Sequence, residues 1–227
     1  MHRNNINTAI KRSCVTNVTV ANSVIRNTYL LLSMTLVFSA ITAFLASVTN
    51  VAPLGMGAAL LINFAFIYLI NALRNSAWGI LAVFMFTGFF GYTLGPVINY
   101  MLYTYVNGAE ILATSLGLTG AIFFGLSCYA MVSRKDFSYL SGFLFAGLII
   151  AIVASFMTFF MNIPMLYIIT SSLFVLIASG IILFETSQII NGGETNYIIA
   201  TVTLYVQIYN LFISLLQILS MLSGRRN

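Results

Sequence analysis

The amino-acid sequence predicts an all-α integral membrane protein, a bundle of seven transmembrane helices with the seventh at its centre. Three observations lead there. Hydrophobic residues make up 60% of the 227 residues and charged ones only 6%, against roughly 25% charged in a soluble domain. The apolar residues fall into seven runs, each near the roughly 20 residues that cross a hydrocarbon core. These runs do not alternate as barrel strands do, and the chain has only three prolines, so the runs read as helices. The last run carries Thr203, Gln207, Asn210, Ser214 and Gln217, spaced four, three, four and three residues apart, which is one stripe along a helix. A membrane helix hides such a stripe from lipid, so the other helices are expected to surround it.

Residues 1–26 are polar, with Arg3, Lys11, Arg12 and Arg26 and no acid. No apolar core follows the charges closely enough for a signal peptide, and the first run begins only at Tyr29. The segment is expected to be a flexible basic cytoplasmic tail, and 27–227 a single transmembrane domain. The tail is either a handle for a soluble partner or protease, or an orientation signal alone. The runs are 29–49, 53–72, 78–101, 109–132, 138–160, 164–189 and 197–221, the third interrupted by Gly-Tyr-Thr-Leu-Gly-Pro at 91–96. Connections such as Ser47 to Pro53, Ala72 to Ala77, Ser133 to Asp136 and Met161 to Pro164 are short, which makes neighbours antiparallel. No internal repeat stands out.

The net charge of +5 reflects basic residues at helix ends rather than a nucleic-acid surface, because no basic run is interleaved with aromatics. The tail, Arg74, and Arg134 with Lys135 place the N-terminus in the cytoplasm by the positive-inside rule. Seven spans then place the C-terminus outside, although Arg225 and Arg226 argue the other way. Cys14 lies in the polar tail and Cys128 in an apolar run, so both are expected to be free thiols. The single histidine, His2, excludes histidine triads and histidine metal sites. The single aspartate, Asp136 in a loop, excludes an intramembrane aspartyl pair. The chain is expected to be no enzyme and to need neither cofactor nor metal.

Several residues stand out beyond composition. Gly88, Gly91 and Gly95 with Pro96 mark either close helix packing or a hinge in a moving helix. Glu185 sits in an apolar run, where a charge costs about 2.5–3.5 kcal/mol at mid-membrane. Three readings stay open: a snorkelling acid, a neutral structural acid, or a proton- or cation-responsive site. For the last, Gln188, Gln207 and Asn210 supply polar neighbours, and Arg74 lies at a similar level. The segment Asn191-Gly-Gly-Glu-Thr-Asn-Tyr197 is read as a tight turn and helix cap, with Glu194 ahead of the last helix.

Taken together the motifs resemble those of the Bax inhibitor / YccA family, most closely its bacterial branch. They are R-N-T-Y-L-L-L-S-M-T-L at 26–36, F-T-G-F-F-G-Y-T-L-G-P at 86–96, S-R-K-D-F-S at 133–138, I-L-F-E-T-S-Q-I-I-N-G-G-E-T-N-Y at 182–197 and L-Y-V-Q-I-Y-N-L-F at 204–212. The resemblance implies seven helices with the last enclosed by the other six. Relatives of the animal type are described as pH-sensitive calcium leak channels with paired aspartates, at positions matching Glu185 and Gln207 here. An amide at the second position leaves no pair of carboxylates to share a proton. One carboxylate and one amide are also few ligands for calcium, which takes six to eight oxygens. The bacterial branch implies instead a partner, substrate and modulator of the FtsH-type membrane protease complex in the inner membrane. A calcium or cation leak is the alternative.

Overall fold

Short turns join seven helices into an up-and-down bundle. The computed structural model describes residues 2–161 and 163–223, with side chains from Asn22 onward except at 56 and 159. The helices are α1 (His2–Val48), α2 (Met56–Leu73), α3 (Trp78–Thr104), α4 (Gly108–Ser133), α5 (Leu140–Met161), α6 (Pro164–Asn191) and α7 (Tyr197–Leu222). Among the described residues six helices are long and apolar enough to cross a membrane; α2 falls short. Its 18 residues reach about 27 Å at 1.5 Å per residue, just under the roughly 30 Å of a hydrocarbon core. The cause lies upstream. Asn50 takes a left-handed φ of 49°, and Gly55 is still extended as the α2 N-cap.

Two expected boundaries are corrected. The first span is already helical at Asn22, and Val24 and Thr28 are buried, so the tail does not extend to residue 26. The remainder of the expected flexible tail, residues 2–21, is helical as the start of α1, and its side chains lie outside the described residues. Arg225 and Arg226 lie outside them too. The third span is not interrupted: α3 runs unbroken through Gly91 and Pro96.

The reason is the contact α3 makes with α1. A Cβ added at Gly88 would stand 2.7 Å from the Phe38 ring, and one at Gly95 2.5 Å from Ala46 Cβ. At Gly91 it would collide with the Thr42 hydroxyl and the Ser39 carbonyl. The three glycines recur at three and four residues, so they form one groove into which α1 settles. At the end of this seam the Ser47 hydroxyl donates to Asn99 Oδ1 at 2.6 Å. Asn99 Nδ2 donates back to the Ser47 carbonyl at 2.9 Å and to Asn50 Oδ1 at 3.1 Å. The C-terminal ends of α1 and α3 therefore meet, and the two helices run parallel.

Helix α7 packs against α1, α2, α3, α4 and α6, and half of its span is buried, against a third or less for the other spans. Its most buried side is apolar: Leu204, Tyr205, Ile208, Leu211 and Leu216. Tyr205 is 2% exposed and stacks edge-on against Phe86 and Phe90 of α3. Its hydroxyl is 2.6 Å from that of Ser39 on α1 and donates to the Thr87 carbonyl of α3 at 3.2 Å.

The glycine groove predicts opposite outcomes for one substitution at two places. Gly91→Ala should destabilise the bundle by about 1–3 kcal/mol through overpacking against the α1 backbone. Gly120→Ala, where an added Cβ meets nothing within 4 Å, should be neutral or gain about 0.5 kcal/mol of helix stability. Thermal unfolding of the purified variants in detergent reads both, and equal shifts would show that the seam is not tight.

Candidate functional site

The residues singled out in the sequence fall at two levels of the bundle. At the first, the end of α6, the turn to α7 and the α4–α5 loop are tied into one corner. Gly192, at φ 78°, closes α6, and the Gly193 and Glu194 N–H groups both bond to the Gln188 carbonyl. Asn196 caps α7 by accepting from the Ile198 and Ile199 N–H groups. Its amide donates to the Arg74 carbonyl at 2.9 Å and to Asn75 Oδ1 at 3.1 Å, which joins α7 to the end of α2. The Glu194 carboxylate accepts the Asn196 N–H at 2.6 Å.

The α4–α5 loop is held by Ser187. This buried hydroxyl donates to the Lys135 carbonyl at 2.9 Å and accepts the Phe137 N–H at 3.1 Å. One residue on, Gln188 donates its amide to the Ser138 hydroxyl at 2.7 Å. Asp136 accepts the Ser138 N–H at 2.8 Å and its hydroxyl at 2.5 Å. The two bonds hold the Asp136 carboxyl below its ordinary pKa. Arg134 turns the chain out of α4 with a left-handed φ of 48°.

Glu185 lies in this region at 8% exposure and has no hydrogen-bond or ion-pair partner among the described residues. The sequence grouped it with Gln188, Gln207, Asn210 and Arg74. Gln188 instead serves the α4–α5 loop, and Arg74 is exposed, with its carbonyl in the α7 corner.

The stripe residues lie deeper. The Ser171 hydroxyl donates to Gln217 Oε1 at 2.7 Å, and this sets the register of antiparallel α6 and α7. Glu185 then stands level with Thr203, while Gln207 lies about 6 Å further in and Asn210 further still. The stripe is not the most buried side of α7. It sits roughly 110° round the helix from the Leu204–Ile208–Leu211 side, and Thr203, Gln207 and Asn210 are only half-buried. There it faces other polar groups. Asn210, Ser214 and Gln217 line a cavity of about 300 Å³, opposite hydroxyls of α5 and α6.

Sequence reasoning missed Ser187, Asn196 and Tyr205, and it missed the hydroxyls facing the stripe. A signal for those was present: Ser155 and Thr158 share a face of α5, and Thr170 and Ser171 begin α6. The free thiol of Cys128 is exposed; Cys14 lies outside the described side chains. Among the described residues no three His, Cys, Asp or Glu side chains cluster as a metal site would require.

A bundle of long apolar helices with its polar groups turned inward or into capped corners defines a multi-pass α-helical membrane protein. Residues 21–224 match the family described as Inhibitor of apoptosis-promoting Bax1, and the chain belongs to that family. It is 44% identical over 210 residues to the "Modulator of FtsH protease YccA" of Escherichia coli K12, covering 92% of this chain and 94% of the relative. The same identity and coverage hold for the "Inner membrane protein YccA" of Escherichia coli O6:H1. An "Uncharacterized membrane protein" of Vibrio cholerae is 44% identical over 207 residues, 89% of this chain and 91% of that one.

The corner makes one substitution informative. Ser187→Ala removes the partner of the Phe137 N–H and the shorter of two bonds to the Lys135 carbonyl, the other coming from the Asn191 amide at 3.5 Å, and should cost about 1–3 kcal/mol. Thermal unfolding measures the loss, and proteolysis within 134–139 should accelerate with it. Wild-type behaviour in both would show that the loop is held by other groups.

Proposed function

We propose that this protein is a non-enzymatic modulator of an FtsH-type membrane protease in the bacterial inner membrane, and that its N-terminal segment makes it a substrate of the same complex. The likeness along nearly the whole bundle to a protein described as a modulator of FtsH protease carries this reading. The description of a second relative as an inner membrane protein supports the location. Arg74, Arg134 and Lys135 gather at the end of the bundle from which α1 enters, which supports an orientation with that end in the cytoplasm and the Leu222 end in the periplasm.

The physical basis is a contest between pulling and packing. A protease that draws a membrane protein out by its end must first grip a loose segment. The basic residues 1–21 ahead of the membrane span are the part offered to that grip, about 70 Å long if fully extended. It must then separate α1 from the glycine groove of α3 and break the bonds that Ser39, Thr87 and Tyr205 form in the interior. A bundle held in this way occupies the complex while yielding slowly.

Deleting residues 1–20 should lengthen the lifetime of the protein in cells several-fold while membrane insertion persists. An unchanged lifetime would remove the tail from the mechanism. The protease should also co-purify with the full-length protein from native membranes, and its absence there would overturn the modulator reading.

A second reading, a pH-sensitive calcium or cation leak, is favoured by one observation: Glu185 is buried without a partner among the described residues. In liposomes the purified protein should then pass calcium at a rate that changes with pH, and Glu185→Gln should abolish the change. No flux at any pH ends this reading.

A further inference from the structure

Helices α5 and α7 both pack on α6 and not on each other. The gap between them is the cavity of about 300 Å³ at the Met161–Pro164 end of the bundle. Gln217, which is exposed, stands at its mouth, and Asn210, at the midpoint of α7, is its deepest polar residue. Thr158 and Thr170 share a hydroxyl contact at 3.1 Å on the far wall.

The hydrogen-bond inventory of this gap does not close within the protein. Gln217 Oε1 accepts from Ser171, but the Gln217 amide N–H groups have no acceptor among the described residues, and Asn210 has no side-chain partner there at all. At membrane depth an unmet donor costs several kcal/mol unless it lines a wet cavity. The volume holds on the order of ten waters at about 30 Å³ each, which find partners in the wall groups, Asn210 and the Gln217 amide among them, and in one another. No charged side chain lines the gap, so an ion entering it would lose hydration without gaining a counter-charge.

We propose that the α5–α6–α7 gap is a water-filled inlet, entered at the Met161–Pro164 end and closing at Asn210, which admits water and small uncharged solutes bearing hydroxyl or amide groups and excludes ions. The inference is independent of the protease reading. It also differs from a cation leak, because the inlet is neutral and ends about 11 Å short of the level of Glu185.

Thiol reactivity tests it in the full-length protein with Cys14→Ser and Cys128→Ser. The thiolate attacks a methanethiosulfonate at its sulfenyl sulfur, forming a mixed disulfide and releasing methanesulfinate, and a thiol surrounded by lipid does not ionise. A small uncharged reagent should modify Ser214→Cys and Asn210→Cys about tenfold faster or more than Leu176→Cys, a lipid-facing position on α6 that is 70% exposed. Ser155→Cys supplies a second wall position should either variant fail to fold. Rates no faster than at Leu176 would overturn the inlet. A cationic reagent of the same reactivity should modify Gln217→Cys at the mouth about tenfold faster than Asn210→Cys. Equal rates at those two positions would overturn the exclusion of ions.

Discussion

The close approach of α1 to α3 along Gly88, Gly91 and Gly95 is the contact on which the rest of the bundle depends. In a bilayer, burial of apolar surface no longer drives helices together, since lipid is as apolar as leucine. Van der Waals contact and interhelical hydrogen bonds must suffice. A side chain at Gly91 would push α1 away from α3. Tyr205 could then no longer reach the Ser39 hydroxyl and the Thr87 carbonyl together. The glycine groove thus determines where α7 can anchor, and through α7 the position of the polar stripe.

The second constraint is the corner where α4, α6, α7 and the end of α2 meet. It is built almost wholly from side-chain bonds to backbone groups that helix ends leave unmatched. Ser187 closes the α4–α5 loop, Gly192 closes α6, and Asn196 opens α7 while reaching back to Arg74. Two motifs far apart in sequence, 133–138 and 182–197, prove to be halves of this one structure. Glu185 lies just inside it. Most polar groups of the corner answer one another; among the described residues Glu185 and the Ser133 hydroxyl do not.

That contrast frames the two functional readings. A leak needs a group whose charge state changes the contacts around it, and Glu185 is available for that. The register of α6 on α7 sets Gln207 about 6 Å deeper than Glu185, and the amide brings no second carboxylate. A modulator of a protease needs instead a bundle that resists being drawn apart and an end that can be gripped. The glycine groove and the corner answer the first need. The basic segment at the start of α1, ahead of the membrane span, is proposed to answer the second.

Helix number, turn positions and most helix limits, though not the starts of α1 and α2, were legible from sequence, because hydropathy over a span is a local quantity and Gly192 and Pro164 mark ends by local backbone chemistry. That Gly91, Gly95 and Glu185 stand out was legible for the same reason: each is out of place in an apolar helix unless something answers it. What answers the glycines was not legible. Whether 91–96 breaks α3 depends on α1, which fills the groove and leaves the helix unbroken. Which side of α7 is most buried depends on the fit of Tyr205 between two other helices. The periodicity of the stripe shows a face but not its neighbour. Only the tertiary structure turned that face toward the hydroxyls of α5 and α6, and separated Glu185 from Gln207, because register between helices is set by contacts such as Ser171 to Gln217 that no single segment contains.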